Sequence, residues 1–283
     1  MEYVVKKYLK LLRAHHYLKN VLVFFPLFFS INFLDVKSLK SVIGFICFSF
    51  ISSTVYIIND IADRNKDALH PTKKNRPIAS GAVSVTKAAI IAVFLFATAI
   101  VVNLVFLGYL SLIWLLVYLL INLAYSFGIK NVPLLDICVL SFGFLIRVFY
   151  GAVIIGVPVS HWLYLTIMSI SFFMGYGKRR NEIKKTDSSA RNVLSLYSSS
   201  FLEKNMYVCM ALAIVFYSLW AAEQKEYLVW TIPVIVVICG KYSLNIEGDS
   251  SGDPVDVILG DKILVACAAF YAVLMFVLLY VIK

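Results

Sequence analysis

Nine long apolar stretches decide what this chain can become. They cover residues 18–34, 39–58, 88–107, 109–127, 134–155, 162–176, 206–222, 228–242 and 263–282, with ends good to a few positions. None alternates apolar with polar residues, as a half-wet strand would. In lipid each backbone N–H and C=O needs a partner within the structure, and an open sheet cannot supply one. A helical crossing takes about 20 residues at 1.5 Å each. The stretches therefore predict an all-α polytopic membrane protein, a bundle of about nine transmembrane helices. Little more than Gly108 separates the third stretch from the fourth.

Composition supports that reading, with 61% hydrophobic and 15% charged residues, against about 45–50% and about 25% in a soluble domain. A net charge of +10 would suggest nucleic acid in a soluble protein. In a membrane chain the placement of the charges matters more, and no nucleic-acid partner is expected. With the N-terminus in the cytoplasm, 21 Lys and Arg fall on the cytoplasmic side and 4 on the other, with Arg147 inside a span. The positive-inside rule then sets the orientation, with the C-terminus outside after nine spans. Thirteen of the sixteen acids also fall on the cytoplasmic side. That rule says little about acids, so their gathering there points to a polar site on the cytoplasmic face of a multi-pass cell-membrane protein.

Other classes of feature are absent or bland. The five cysteines all lie in apolar stretches without metal-ligand spacing, as small buried hydrophobes do. The basic start (Lys6, Lys7, Lys10, Arg13, Lys19) before an apolar run has the look of a signal peptide. However, residues 28–33 offer no small-residue cleavage site, so an uncleaved first span is expected. No repeat and no low-complexity linker breaks the chain, which reads as a single domain over 1–283.

The most specific chemistry follows the second stretch. Asn59, Asp63 and Asp67 are spaced i, i+4, i+8, so a helix continued for two more turns puts them on one face. Carboxylates on one stripe repel unless a cation lies between them, and hard oxygen ligands suit Mg²⁺. The alternative is a solvated acidic helix end. Lys73, Lys74 and Arg76 come next, in a loop bounded by Pro71 and Pro77, and supply donors for phosphate oxygens. Three further positions stand out. Tyr125, Lys130 and Asp136 lie where the fourth stretch ends and the fifth begins, where Lys130 also fits a plain positive-inside anchor. Arg147 lies deep in a span, at a cost of about 2.5–3.5 kcal/mol on insertion scales, so it faces either a structural partner or an anionic substrate. Lys178-Arg179-Arg180-Asn181-Glu182 follows the sixth stretch. Asp249, Asp253, Asp256 and Asp261, in a turn-rich loop, fit no Ca²⁺ loop and read as structural.

Asn59-Asp60-x-x-Asp63-x-x-x-Asp67, followed by His70-Pro71-x-Lys73-x-x-Arg76-Pro77, resembles the UbiA superfamily of membrane prenyltransferases. Residues 12–20, Phe25-Pro26-Leu27-Phe28, residues 125–130, Leu135-Asp136-Ile137, residues 143–147 and Gly177-Lys178-Arg179 resemble its branch of polyprenyl-phosphate phosphoribosyltransferases. The likeness runs from Leu12 to about Lys262.

The resemblance implies a UbiA-like bundle whose cytoplasmic loops, 59–87 and 178–205, cap the active site. It implies a metal site at Asn59, Asp60, Asp63 and Asp67, with Mg²⁺ as cofactor. It also implies transfer of 5-phosphoribosyl from 5-phosphoribosyl 1-diphosphate to a polyprenyl (decaprenyl-like) phosphate, releasing diphosphate. The implied catalytic set is Asp63, Asp67, Lys19, Lys130 and Lys178. Asn20, Lys73, Arg76, Tyr125, Arg147, Arg179 and Glu182 are the implied substrate contacts. Ordinary prenyltransferases of the superfamily carry a second Asp-rich motif where this chain has the basic run at Lys178. That departure favours a donor with an additional phosphate over a prenyl diphosphate. Prenyl transfer to an aromatic or lipid acceptor remains the alternative within the family, and a non-catalytic transporter the alternative outside it. The bilayer is a partner in every case, and a homo-oligomer is compatible with all three.

Overall fold

The computed structural model describes residues 2–30, 36–69, 73–185, 192–248, 250 and 252–282, and their regular structure is helical throughout. Seven helical segments among the described residues are long and apolar enough to cross a membrane. The other two expected spans take different forms. The first becomes a tight 3₁₀ helix, Ala14–Phe24, running into α2 (Phe25–Phe29). Pro26 sits in the first turn of α2, where its missing N–H leaves no helical bond unmade. The sixth is the front of α8 (His161–Lys185), a helix that continues into the charged residues from Lys178.

Contacts group the chain into two compact units. The first comprises Met1–Gly128 and Ile146–Val157, and the second Ile129–Leu145 and Pro158–Lys283. No linker marks the division in the sequence, because α7 (Leu135–Ile155) supplies residues to both.

The first unit holds α1 (Glu2–Leu12), α3 (Val36–Ala62), α4 (Arg64–Leu69), α5 (Val85–Phe106) and α6 (Tyr109–Phe127). The most hydrophobic part of α3 is 61% buried, against 22% for α5 and for α6, so α3 is the unit's axis. Small polar side chains make that possible. Ser49, Ser52, Ser53 and Thr54 are all buried on α3, and Thr54 donates to the Phe50 carbonyl at 3.0 Å and the Ala92 carbonyl of α5 at 3.3 Å. Small residues let membrane helices approach closely. Gly151 takes this furthest: a Cβ there would lie 2.1 Å from the Val23 carbonyl oxygen. Around these contacts pack Val23, Leu27, Phe48, Ile51 and Tyr150. Gly108, at φ +86°, turns α5 into α6, and Asn103 ties the turn by donating to its carbonyl at 3.0 Å. Ile90, Val93 and Phe94 on α5 stay exposed, as a lipid-facing surface requires.

The second unit holds α8, α9 (Ser199–Gln224), α10 (Ile232–Glu247), α11 (Pro254–Leu259) and α12 (Lys262–Phe276). Its core is Ile137, Phe173, Leu202, Met206, Tyr242 and Ile246. Side-chain caps set three helix starts: Ser198 accepts from the Phe201 N–H, Asp253 from Val255 and Asp261 from Leu264. Each satisfies an N–H that the helix itself cannot.

Gly151→Leu is expected to destroy the packing of 14–24 on α7, since overpacking costs at least about 1–3 kcal/mol and here meets backbone. Gly240, with nothing within 4 Å of its Cβ position, is the control. Size-exclusion chromatography in detergent should show Gly151→Leu aggregated and Gly240→Ala monodisperse.

Candidate active site

The helix carrying the acidic stripe is interrupted where it leaves the bundle. α3 stops at Ala62 and α4 starts at Arg64. The helical bonding nevertheless crosses the break, with Asp63 N–H donating to Asn59 C=O at 2.9 Å and Asp67 N–H to Asp63 C=O at 2.8 Å. The i, i+4, i+8 spacing of Asn59, Asp63 and Asp67 thus survives. Asn59 and Asp63 are half-buried, and Asp67 is buried.

Two arginines dominate the electrostatics. Arg76 donates from Nη1 to Asp67 Oδ2 at 2.5 Å and to Asp60 Oδ1 at 3.1 Å. Arg13 donates to the same Asp60 oxygen at 2.5 Å, its guanidinium 4.8 Å from the Tyr56 ring centroid. Tyr56, Arg13, Asp60, Arg76 and Asp67 therefore form one chain of contacts with alternating charge. Arg13 adopts left-handed backbone, φ 51°, at the break between α1 and the 3₁₀ helix. Such a conformation is uncommon for a residue with a Cβ, and here a buried carboxylate holds the side chain on the far side of the turn.

Asp60, expected among the metal ligands, is 2% exposed and is counter-ion to two arginines, as Asp67 is to one. Asn59, Asp60, Asp63 and Asp67 offer only oxygen donors, the set that suits Mg²⁺. Among the described residues no three His, Cys, Asp or Glu assemble into a metal cage. Mg²⁺ does not need one, since one or two carboxylates with water and substrate phosphates suffice. The Ser126 hydroxyl, donating to Asn59 Oδ1 at 3.1 Å, orients that amide. Lys73 is exposed and Lys19 half-buried, as is Tyr125. His70 and Pro71 lie outside the described residues.

Asn20 and Arg147, expected as substrate contacts, are buried together. Asn20 is fully buried and Arg147 4% exposed. Arg147 Nε donates to Asn20 Oδ1 at 2.8 Å and Nη2 to the Tyr118 hydroxyl at 3.1 Å, with the guanidinium 4.9 Å from the Phe48 and Tyr118 rings. Asn20 in turn donates to Ser49 at 3.0 Å. Through these bonds the two residues tie the 14–24 segment to α3, α6 and α7. An intramembrane cation must be solvated by the protein, and amide, hydroxyl and ring faces do so here.

In the second unit, Arg179 is fully buried. It donates to Asp136 Oδ2 at 2.6 Å and to Glu182 Oε2 at 2.5 Å. Arg180, 6% exposed, donates to Glu203 at 2.7 Å. The basic run is therefore not a row of open cations: Arg179 and Glu182, read from the sequence as substrate contacts, are paired with one another, and Arg179 also with Asp136. Tyr197 completes the knot, donating to Asp136 Oδ1 at 2.6 Å and accepting from the Leu134 N–H at 2.5 Å. Burial, and then this bond to a carboxylate, push the Tyr197 phenol well above its usual pKa. Lys178 is half-buried and reaches Asp253 at 3.2 Å. Lys130 is half-buried in a 3₁₀ turn, Ile129–Asn131. Asp187 and Asp249 lie outside the described residues. Of the aspartates read as structural, Asp253 and Asp261 cap helices, and Asp261 also pairs with Lys241 at 2.8 Å.

The description "UbiA prenyltransferase family" matches residues 22–258. The chain belongs to the UbiA family. It is a multi-pass membrane transferase of that family. It is 32% identical over 284 residues to the decaprenyl-phosphate phosphoribosyltransferase of Mycolicibacterium smegmatis, covering 92% of this chain and 88% of that one. It is 34% identical over 269 residues to the enzyme of the same name from Mycobacterium tuberculosis, covering 90% and 88%. In fold it resembles a UbiA homolog from Archaeoglobus fulgidus bound to DMAPP and Mg²⁺, with a TM-score of 0.75 at 18% identity over 98% of this chain and 100% of that one.

Asp136→Leu should leave Arg179 buried with half its counter-charge and cost roughly 3–5 kcal/mol. Asp136→Leu with Arg179→Met should recover most of that. Thermal melting in detergent, followed by tryptophan fluorescence, separates the two. A single variant as stable as wild type would show the pair to be dispensable.

Proposed function

We propose that the chain transfers 5-phosphoribosyl from 5-phosphoribosyl 1-diphosphate to a polyprenyl phosphate, with Mg²⁺, at the cytoplasmic face of the membrane. The observation that carries this reading is the likeness of about 90% of the chain, at 32–34% identity, to enzymes named for that reaction. A second one agrees. Glu182 and Glu203, the described acids of loop 178–205, accept from Arg179 and Arg180. Among the described residues that loop therefore offers no second carboxylate pair for a prenyl diphosphate.

Bound Mg²⁺ supplies positive charge to the diphosphate as negative charge builds on the leaving oxygen. Asn59, Asp63 and Asp67, with Asp60 beside them, would hold it. Arg76 and Lys73 donate to diphosphate oxygens, with Arg76 exchanging its present carboxylate partners for phosphate. Lys19, Lys130 and Lys178 are the remaining counter-charges for donor and acceptor phosphates. An acceptor phosphate oxygen forms a bond to the anomeric carbon. The bond from that carbon to the diphosphate oxygen breaks, and its electron pair leaves with diphosphate. No proton has to move, because the acceptor oxygen is already ionised. Positioning and fixed charge are left to supply the rate.

The test uses protein purified in detergent with radiolabelled 5-phosphoribosyl 1-diphosphate, Mg²⁺ and polyprenyl phosphate. Label is expected in the organic phase, and label confined to the aqueous phase would reject the reading. Transfer from a prenyl diphosphate to an aromatic acceptor would support the family alternative. Asp63→Ala should lower turnover by at least about 10²–10³-fold, the scale for losing one preorganised electrostatic element. Arg147→Met should instead lower thermal stability, since it removes a structural cation.

A further inference from the structure

Outside this machinery, the second unit carries a trough of about 590 Å³ between α10 and α12. Val237 forms one wall; Ile263, Ala266, Cys267 and Phe270 form the other, with Lys262 at one end. Lys262 opens α12, and the Lys241–Asp261 ion pair, at 2.8 Å, lies at that same end. From Lys262 to Phe270 the trough follows eight residues of helix, about 12 Å, and beyond the lysine its lining is apolar. Both walls belong to segments long and apolar enough to cross a membrane, Glu226–Glu247 and Lys262–Val281.

The trough is open along its length, so within a bilayer its apolar lining is covered by hydrocarbon and not by water. What lies over the charged end is then fixed by the two lysines and one aspartate there, a net single positive charge, with the exposed start of α12 adding its partial positive charge. Basic pockets between membrane helices recognise anionic lipid head groups in this way.

We propose that this trough binds one anionic glycerophospholipid, its acyl chain along α10 and α12 and its phosphate at Lys262. The proposal holds whichever group the enzyme transfers.

Full-length protein is reconstituted with equal amounts of phosphatidylglycerol and phosphatidylcholine, and retained lipid is measured by native mass spectrometry. One phosphatidylglycerol is expected per chain, with at least a fivefold preference over phosphatidylcholine. Lys262→Glu should bring that preference to about one. Ala266→Trp, which fills the trough from a position facing lipid, should lower retention of both lipids. Cys267 gives a second reading on the wild-type protein. Its alkylation by N-ethylmaleimide in detergent, followed by peptide mass spectrometry, should slow at least threefold on adding phosphatidylglycerol and not on adding phosphatidylcholine. Equal retention of the two lipids, or alkylation indifferent to both, would overturn the proposal. Stronger protection of Cys267 by polyprenyl phosphate than by phosphatidylglycerol would also overturn it, and would assign the trough to the acceptor lipid.

Discussion

A charge taken out of water must find its opposite within the protein, and in a chain that is mostly membrane span this rule shapes each unit. Asp60, Asp67, Asp136, Arg147, Arg179 and Arg180 are all buried. Five of them lie in ion pairs of 2.5–3.1 Å. Arg147 is solvated by an amide, a hydroxyl and two aromatic faces. Removing one member of such a set strands the others in a medium that cannot solvate them. The ends of α3 and α8 are therefore fixed by charge pairing as much as by apolar packing.

The helices were legible because lipid leaves one solution for a long apolar run. Seven of the nine expected spans appear as single crossing segments. The exception at Ala14–Phe29 shows what hydropathy omits. Pro26 and the close approach at Gly151 shape that segment, and neither alters an average over twenty residues. The acidic stripe was legible because its periodicity is helical, and it survives the interruption at Asp63. Arg13 was not. Its partner Asp60 lies 47 residues away, and only the fold brings them together. Tyr197 and Asp136, 61 apart, were hidden for the same reason.

Counting basic residues misled in one respect. Lys178-Arg179-Arg180 reads as an anion site, yet both arginines point into the protein and are matched by Asp136, Glu182 and Glu203. On a helix, residues 179 and 180 are 100° apart, so one or both can face inward. A run of like charge is a binding surface only where its members share the exposed face, and here even Lys178, the least buried of the three, is held at Asp253.

The pairing at Arg76 bears on how the first unit could admit a highly charged donor. With Arg13 and Arg76 set against Asp60 and Asp67, the group is neutral as it stands. Asp67 is a buried carboxylate beside Asp60, and Arg76 bridges the two, 2.5 Å from Asp67 and 3.1 Å from Asp60, so the like charges share one cation. Arg13 also pairs with Asp60, so on the proposed reading Arg76 could leave for a phosphate oxygen without stranding that carboxylate, uncovering Asp67 one helical turn from Asp63 and two from Asn59. On that reading the two arginines divide the work: Arg13 keeps Asp60 paired while Arg76 can free Asp67.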